Sequence, residues 1–165
     1  MPMSLYNRQL DADPNEGRAA RARRLVLDQH VDLRRLLKMG LAEAHAAGKS
    51  QTLPHEILRS LVDMVRDVFV QHLADEEALI LPVLNDDLPL GPLRAKRLLE
   101  EHADQRSELD ALCAWPPEQS NDLEFALRFE AMANTLLQDI AHEERHLLTP
   151  EIIRDDGVVV DQSAG

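Results

Sequence analysis

Apolar residues recur every three or four positions through four long segments of the chain, the spacing of one buried face of an α-helix. Glycine and proline separate these segments, with Gly48 after the first, Pro82 after the second, Pro116 after the third and Pro150 after the fourth. Pro92 suits the first turn of a helix. The predicted helices cover about 18–47, 50–81, 92–115 and 121–149, the last capped by Asn121 or Asp122.

Short connections between long helices favour antiparallel neighbours, so we predict an all-α, up-down-up-down four-helix bundle. The bundle is expected over residues 18–152. Residues 1–17 form a predicted N-terminal polar tail and residues 153–165 a C-terminal tail.

The composition narrows the classes of partner. A formal net charge of −12 argues against nucleic acid or an anionic membrane as the main partner. No apolar run reaches membrane-spanning length, and the first residues lack a signal-peptide core. The single cysteine, Cys113, excludes an internal disulfide, and its helical spacing from Leu109 predicts a buried thiol rather than a nucleophile. These features predict a soluble, cytoplasmic protein.

Histidines and glutamates interrupt the apolar faces of the predicted helices. Because an unpaired buried carboxylate costs several kcal/mol, such groups are neutralised, paired or bound to a metal. Facing side chains in a four-helix bundle build carboxylate-bridged di-metal sites, and imidazole with carboxylate suits iron, and to a lesser degree zinc or manganese. The residues at these inward positions are His30, His72, Glu76, His102 and Glu144.

Four stretches, "DQHVDLRRLL", "HLADEEALILPVL", "LEEHADQRSEL" and "HEERHLLTPEI", together resemble the hemerythrin-like (HHE cation-binding) domain over roughly residues 20–152. The resemblance implies two non-haem irons bridged by glutamates, with an open position for dioxygen or a related small molecule. It also implies a histidine from each helix, and a glutamate four residues after the second- and fourth-helix histidines. Carried over by position, the implied metal ligands are His30, His72, Glu76, His102 and Glu144.

The fourth helix departs from that pattern. Aligning Pro82 with Pro150 places Ile140 where the resemblance requires a histidine. His142 lies about 200° around the helix from Ile140, so we expect it in an outer polar stripe. Only a π-bulge before His142 would turn it towards the site. One metal position keeps His30 and His72, and the other keeps His102 and shared carboxylates only, unless His142, Glu143 or water completes it. We therefore expect an asymmetric site whose second metal is weakly bound or absent. The other members of the predicted outer stripe are Asp139, Glu143 and His146.

The sequence favours a non-haem iron protein, holding one or two irons, that binds, senses or detoxifies dioxygen, nitric oxide or peroxide in a stress response. It favours a metal- and oxygen-binding protein over an enzyme, since no nucleophile with a base partner and no phosphate loop is visible. One alternative is a metal-poor bundle serving as a regulatory or interaction module. A zinc or manganese hydrolytic site is another, without a substrate-pocket signature. We expect Glu77 and Glu101, beside ligand positions, to be exposed or to support ligands.

Overall fold

The computed structural model describes residues 17–49, 55–87, 91–116, 122–151 and 153. These residues form four helices and no strand, which confirms the predicted all-α four-helix bundle. α1 packs against α2 and α4, and α2 packs against α3, whereas α3 and α4 touch at few places. The helices are α1 (Arg18–Lys49), α2 (His55–Asp87), α3 (Gly91–Cys113) and α4 (Asp122–His146).

The end of α2 differs from the prediction. We expected the helix to stop before Pro82, but it continues through this proline to Asp87. Pro82 itself is exposed, while Ile80 and Leu84 on either side are buried. Burial of two large apolar side chains one turn apart offsets the backbone hydrogen bond that the proline removes.

The other helix ends lie close to their predicted positions. α1 includes Gly48, and α3 begins at Gly91 with Pro92 in its first turn, as expected. α4 ends at His146, three residues before the predicted Thr149, and the chain then turns. Of the two predicted tails, the described residues include only Gly17 at the N-terminal side and Ile153 at the C-terminal side. Ile153 is fully buried.

Two apolar clusters fill the bundle, and a polar layer separates them. The larger cluster contains Leu33, Leu73 and Leu109, and the smaller one contains Val26 and Ile80. His30 lies between Val26 and Leu33 in the sequence of α1. α3 has the same order, with His102 between Leu98 and Leu109. α2 has the reverse order, with Glu76 between Leu73 and Ile80. The apolar clusters therefore hold the inward polar side chains at one level of the bundle.

α1 and α4 approach each other closely at Gly40. This residue is buried in the middle of α1, and a Cβ atom built on it would overlap the ring of Phe129. Glycine is therefore the residue that fits here, despite its low helix propensity. Among the described residues, no helix is both long and apolar enough to span a membrane.

Candidate metal centre

Three histidines from three helices surround one buried glutamate. The side chains of His30, His72, Glu76 and His102 are almost completely removed from solvent. Glu76 Oε2 lies 3.5 Å from His72 Nε2 and 3.5 Å from His102 Nε2. The ring centroids of His30 and His72 are 4.9 Å apart. The predicted inward positions on α1, α2 and α3 therefore do come together in space.

The carboxylate that α4 contributes to this group is Glu143. Its Oε2 atom lies 3.3 Å from His30 Nε2. Ligand atoms within 4.8 Å of one another define two groups that could hold a metal, and Glu143 belongs to both. One group adds His30 and His72 to it, and the other adds Glu76 and His102. We refer to these five residues, His30, His72, Glu76, His102 and Glu143, as the His–Glu cluster.

Glu144, the carboxylate expected from the sequence, lies outside the His–Glu cluster. Both of its oxygens accept hydrogen bonds from Arg34, at 2.6 Å each, and Oε1 also lies 3.1 Å from His30 Nδ1. The expectation that Glu143 belongs to an outer polar stripe is therefore wrong, because its Oε2 is buried against His30. Glu144 instead supports His30 from behind, and ligation by Glu144 receives no support from this arrangement.

Each imidazole is fixed from behind through its Nδ1 atom. His30 Nδ1 contacts Glu144 at 3.1 Å, and His102 Nδ1 contacts Glu77 at 2.9 Å. Both carboxyl groups have pKa values held below their ordinary range, so they are ionised and can only accept a hydrogen bond. Each Nδ1 is therefore placed to donate its hydrogen to a carboxylate, and Nε2 is the ring nitrogen that faces the centre of the bundle.

His72 is supported by an amide rather than a carboxylate. Its Nδ1 lies 3.1 Å from Gln29 Oε1, and Gln29 Nε2 donates to Asp75 Oδ2 at 2.6 Å. Because the amide nitrogen is used by Asp75, the amide oxygen is the atom that faces His72. Gln71 holds the other oxygen of Asp75 at 2.9 Å. Partners of this kind orient metal-binding histidines in proteins.

Arginines complete two of these supports in the same way. Arg34 stands four residues after His30 and binds Glu144, and Arg106 stands four residues after His102 and binds Glu77 at 2.7 Å. α1 and α3 thus each carry a histidine–arginine pair one turn apart. Each pair holds the second of two adjacent glutamates, on α4 in the first case and on α2 in the second.

This repeat matches Glu76 with Glu143 and Glu77 with Glu144. The same register pairs buried Leu73 with buried Ile140. Ile140 is therefore part of the larger apolar cluster rather than the vacant position of a fourth histidine. Two signals of this register are visible in the sequence: the repeated "EE" pairs and the two histidine–arginine spacings.

The two buried carboxylates have different protonation preferences. Burial opposes ionisation of Glu76, but the neighbouring imidazoles of His102 and His72 outweigh it and hold the pKa of Glu76 below its ordinary value. Burial raises the pKa of Glu143, and the charge of Glu76 raises it further. Burial also lowers the pKa of His72 to about 4, so this ring is neutral at physiological pH. Neutral imidazoles beside carboxylates are the form in which these groups bind metals.

The His–Glu cluster fits a metal ion because its polar atoms are buried but not satisfied by protein groups. Within the described residues, these atoms make no well-formed hydrogen bond and have almost no contact with solvent, and the closest contacts among them are 3.3 to 3.5 Å. Buried polar atoms are ordinarily paired, so a convergent set without partners requires a compensating group. The atoms are His30 Nε2, His102 Nε2, Glu143 Oε2 and both carboxylate oxygens of Glu76.

The histidines near the end of α4 lie outside this centre. His142 and His146 are exposed, with ring centroids 4.6 Å apart, which confirms that they face outward. α4 is a regular α-helix through His142, so the π-bulge that would turn this residue inward does not occur. Both histidines line a cleft between α3 and α4 with a volume of about 1060 Å³. Glu143 also lines the α3–α4 cleft and links it to the His–Glu cluster.

The sequence matches the family model described as "Hemerythrin HHE cation binding domain" over residues 21–149. No curated protein and no solved structure matches the chain. The family match covers most of the four-helix bundle and all five residues of the His–Glu cluster, and the cluster offers two groups that could hold a cation. The chain belongs to the hemerythrin HHE cation-binding domain family.

Proposed function

We propose that this chain is a cytoplasmic non-haem iron protein that binds one or two ions at the His–Glu cluster. An open coordination position would take a small molecule such as dioxygen, nitric oxide or peroxide. The observation that carries the proposal is the convergence of three imidazole Nε2 atoms and two carboxylates, each ring fixed through its Nδ1.

The donor set supports iron more strongly than the other metals considered. Imidazole suits iron, zinc and copper, whereas carboxylate suits harder ions such as manganese, so a mixed set favours iron. In this arrangement His30 and His72 would hold one ion, His102 and Glu76 would hold the other, and Glu143 would lie between them. Iron would supply redox chemistry and binding of a small molecule, and the protein would supply orientation and a buried setting.

The surroundings favour a binding or sensing role. The only cysteine, Cys113, is part-buried, and burial raises the pKa of its thiol, which disfavours it as a nucleophile. The α3–α4 cleft gives a small molecule a route to Glu143 from solvent. If the bound molecule is nitric oxide or peroxide, this proposal gives the protein a role in a stress response.

Metal analysis combined with near-ultraviolet and visible spectroscopy tests the proposal. The purified protein, reconstituted anaerobically with Fe²⁺ and then exposed to air, should hold one to two irons per chain and develop ferric absorption. Addition of nitric oxide to the ferrous protein should change the spectrum. The control is His45→Ala, a histidine substitution at an exposed position of α1 that leaves the His–Glu cluster and Arg34 intact. This variant should give the same iron content and the same spectra as the wild-type protein.

An opposite result would favour the metal-poor interaction module. That module would hold no iron after reconstitution, and its melting temperature would not respond to metal. The unsatisfied burial of Glu76 argues against it, because a bundle without metal would gain stability from an apolar residue there.

A further inference from the structure

The two halves of the His–Glu cluster are unequal. The group containing His30 and His72 has two imidazoles, whereas the group containing Glu76 and His102 has one. Both include Glu143, so the imbalance arises from the other residues. On α2 the inward glutamate is preceded by a histidine four residues earlier, and α4 has no histidine at the corresponding place.

The internal repeat of the bundle identifies the residue at that place. Matching Glu76 with Glu143 pairs His72 with Asp139, since each stands four residues before the inward glutamate on the same helix. Residues four apart project from the same side of a helix on successive turns. Asp139 and Glu143 accordingly both line the α3–α4 cleft.

A glutamine on a neighbouring helix contacts Asp139, as another glutamine contacts His72. Gln29 of α1 binds His72 at 3.1 Å, and Gln105 of α3 donates to Asp139 Oδ2 at 3.1 Å. Asp139 is part-buried, and burial raises the pKa of its carboxyl group. Gln105 stands one turn after His102 on α3, so its hydrogen bond places the Asp139 carboxylate on the α3 side of α4, outside the two groups that could hold a metal but one helical turn from Glu143.

We propose that Asp139 completes the second metal position as a carboxylate ligand, together with His102, Glu76 and Glu143. This rests on the proposed metal-binding function and adds to it a ligand and a selectivity. The buried, unpartnered oxygens of Glu76 point independently to an ion at this position. In the second position, Asp139 would have the part that His72 of α2 has in the first position.

The two metal positions of the cluster would then prefer different ions. The position at His30 and His72 combines two imidazoles with carboxylate, which suits iron or zinc. The position at His102 and Asp139 has one imidazole and three carboxylates, which suits a harder ion such as Mn²⁺. The second position is therefore selective for an oxygen-preferring ion.

Metal-free protein is titrated with Mn²⁺, and the electron paramagnetic resonance signal of free Mn²⁺ is measured at each step. The difference between added and free Mn²⁺ gives the number of bound ions without an activity assay. After one equivalent of Fe²⁺ has been added anaerobically, wild-type protein should take up one Mn²⁺ per chain. Asp139→Asn should weaken Mn²⁺ binding by about tenfold or more. Asp139→His should shift the second position from Mn²⁺ towards Fe²⁺ or Zn²⁺. Asp104→Asn, the same change at an exposed position of α3, is the matched control.

The outcomes separate this inference from the proposed function. Wild-type protein that binds Fe²⁺ but no Mn²⁺, or an Asp139→Asn variant that binds Mn²⁺ as tightly as wild type, would overturn the role of Asp139 and leave the first position standing. Protein that binds neither ion would overturn the proposed function itself. Circular dichroism of the variants shows that any loss of Mn²⁺ binding is not a loss of fold.

Discussion

Glu143 and Glu144, adjacent on α4, lie on opposite sides of one imidazole, that of His30. Glu143 Oε2 is 3.3 Å from Nε2 of this ring, and Glu144 Oε1 is 3.1 Å from Nδ1. The two neighbouring carboxylates therefore have different tasks, one facing the proposed metal and the other fixing the ring that binds it.

Paired glutamine substitutions distinguish these tasks. Glu143→Gln should abolish binding of the second ion and weaken the first, because this carboxylate belongs to both groups. Glu144→Gln keeps an acceptor oxygen for His30 and should weaken binding by only about ten- to a hundredfold. Calorimetric titration with Fe²⁺ or Mn²⁺ measures both, and a larger loss in Glu144→Gln than in Glu143→Gln would contradict the assignment.

The outer arginines should affect metal binding without touching the metal. Arg34→Met leaves Glu144 without its two 2.6 Å hydrogen bonds, and Arg106→Met does the same for one bond to Glu77. Each change should weaken metal binding by about tenfold or more, because the imidazole is then less firmly oriented.

The nuclear magnetic resonance signal of the imidazole Nδ1 hydrogen gives a second readout in metal-free protein. It should broaden or exchange faster for His30 in Arg34→Met and for His102 in Arg106→Met. Arg35→Met, at an exposed position of α1, is the control. Unchanged signals and affinities in both variants would show that the arginines do not act through these rings.

Metal should stabilise the fold through His72. Binding at a free metal concentration a hundredfold above the dissociation constant adds about 2.7 kcal/mol to the free energy of unfolding. For a chain of this size, that raises the melting temperature by about 5 to 10 °C. His72→Ala should lose most of this rise, whereas His45→Ala should keep it. Scanning calorimetry of each variant with and without metal cancels any effect on the metal-free fold, and an undiminished rise in His72→Ala would refute the prediction.

Gly40→Ala should destabilise the bundle, although glycine to alanine ordinarily stabilises a helix by up to about 1 kcal/mol. The added methyl group meets the buried ring of Phe129, and overpacking of this kind costs about 1 to 3 kcal/mol. Urea denaturation measures the change. Gly40→Ala should lower the free energy of unfolding by less in a Phe129→Leu background than in the wild-type protein, because the smaller side chain leaves room for the methyl group. Equal losses in the two backgrounds would exclude the proposed contact.

The fold and three of the four contributing helices could be predicted from the sequence because burial leaves little choice there. His30, His72 and His102 each interrupt an otherwise apolar face, so any bundle that buries Leu33, Leu73 and similar residues also buries these rings. Helical periodicity is sufficient for this inference.

The inward carboxylate of α4 could not be fixed in this way. After Ile140, steps of three and four residues are both compatible with the apolar stripe, so Glu143 and Glu144 are equivalent by periodicity alone. The alignment of Pro82 with Pro150 gave a register that is wrong by one residue, because the two prolines are not equivalent. α2 continues through Pro82, whereas α4 has ended before Pro150. A tertiary contact makes the choice, since Arg34 of α1 binds Glu144.

The α3–α4 cleft has a consequence for how the centre exchanges its contents. The ion pair between Arg34 and Glu144 ties α1 to α4, and that between Arg106 and Glu77 ties α3 to α2. Neither crosses from α3 to α4, where Glu143 lines the opening. If the proposed centre holds metal, a small molecule entering through the α3–α4 cleft would meet Glu143, the one member of the His–Glu cluster that lines it. The hydrogen bond from Gln105 to Asp139 crosses the same cleft, so entry would require side chains to move at this opening but would not require the ion-paired helices to separate.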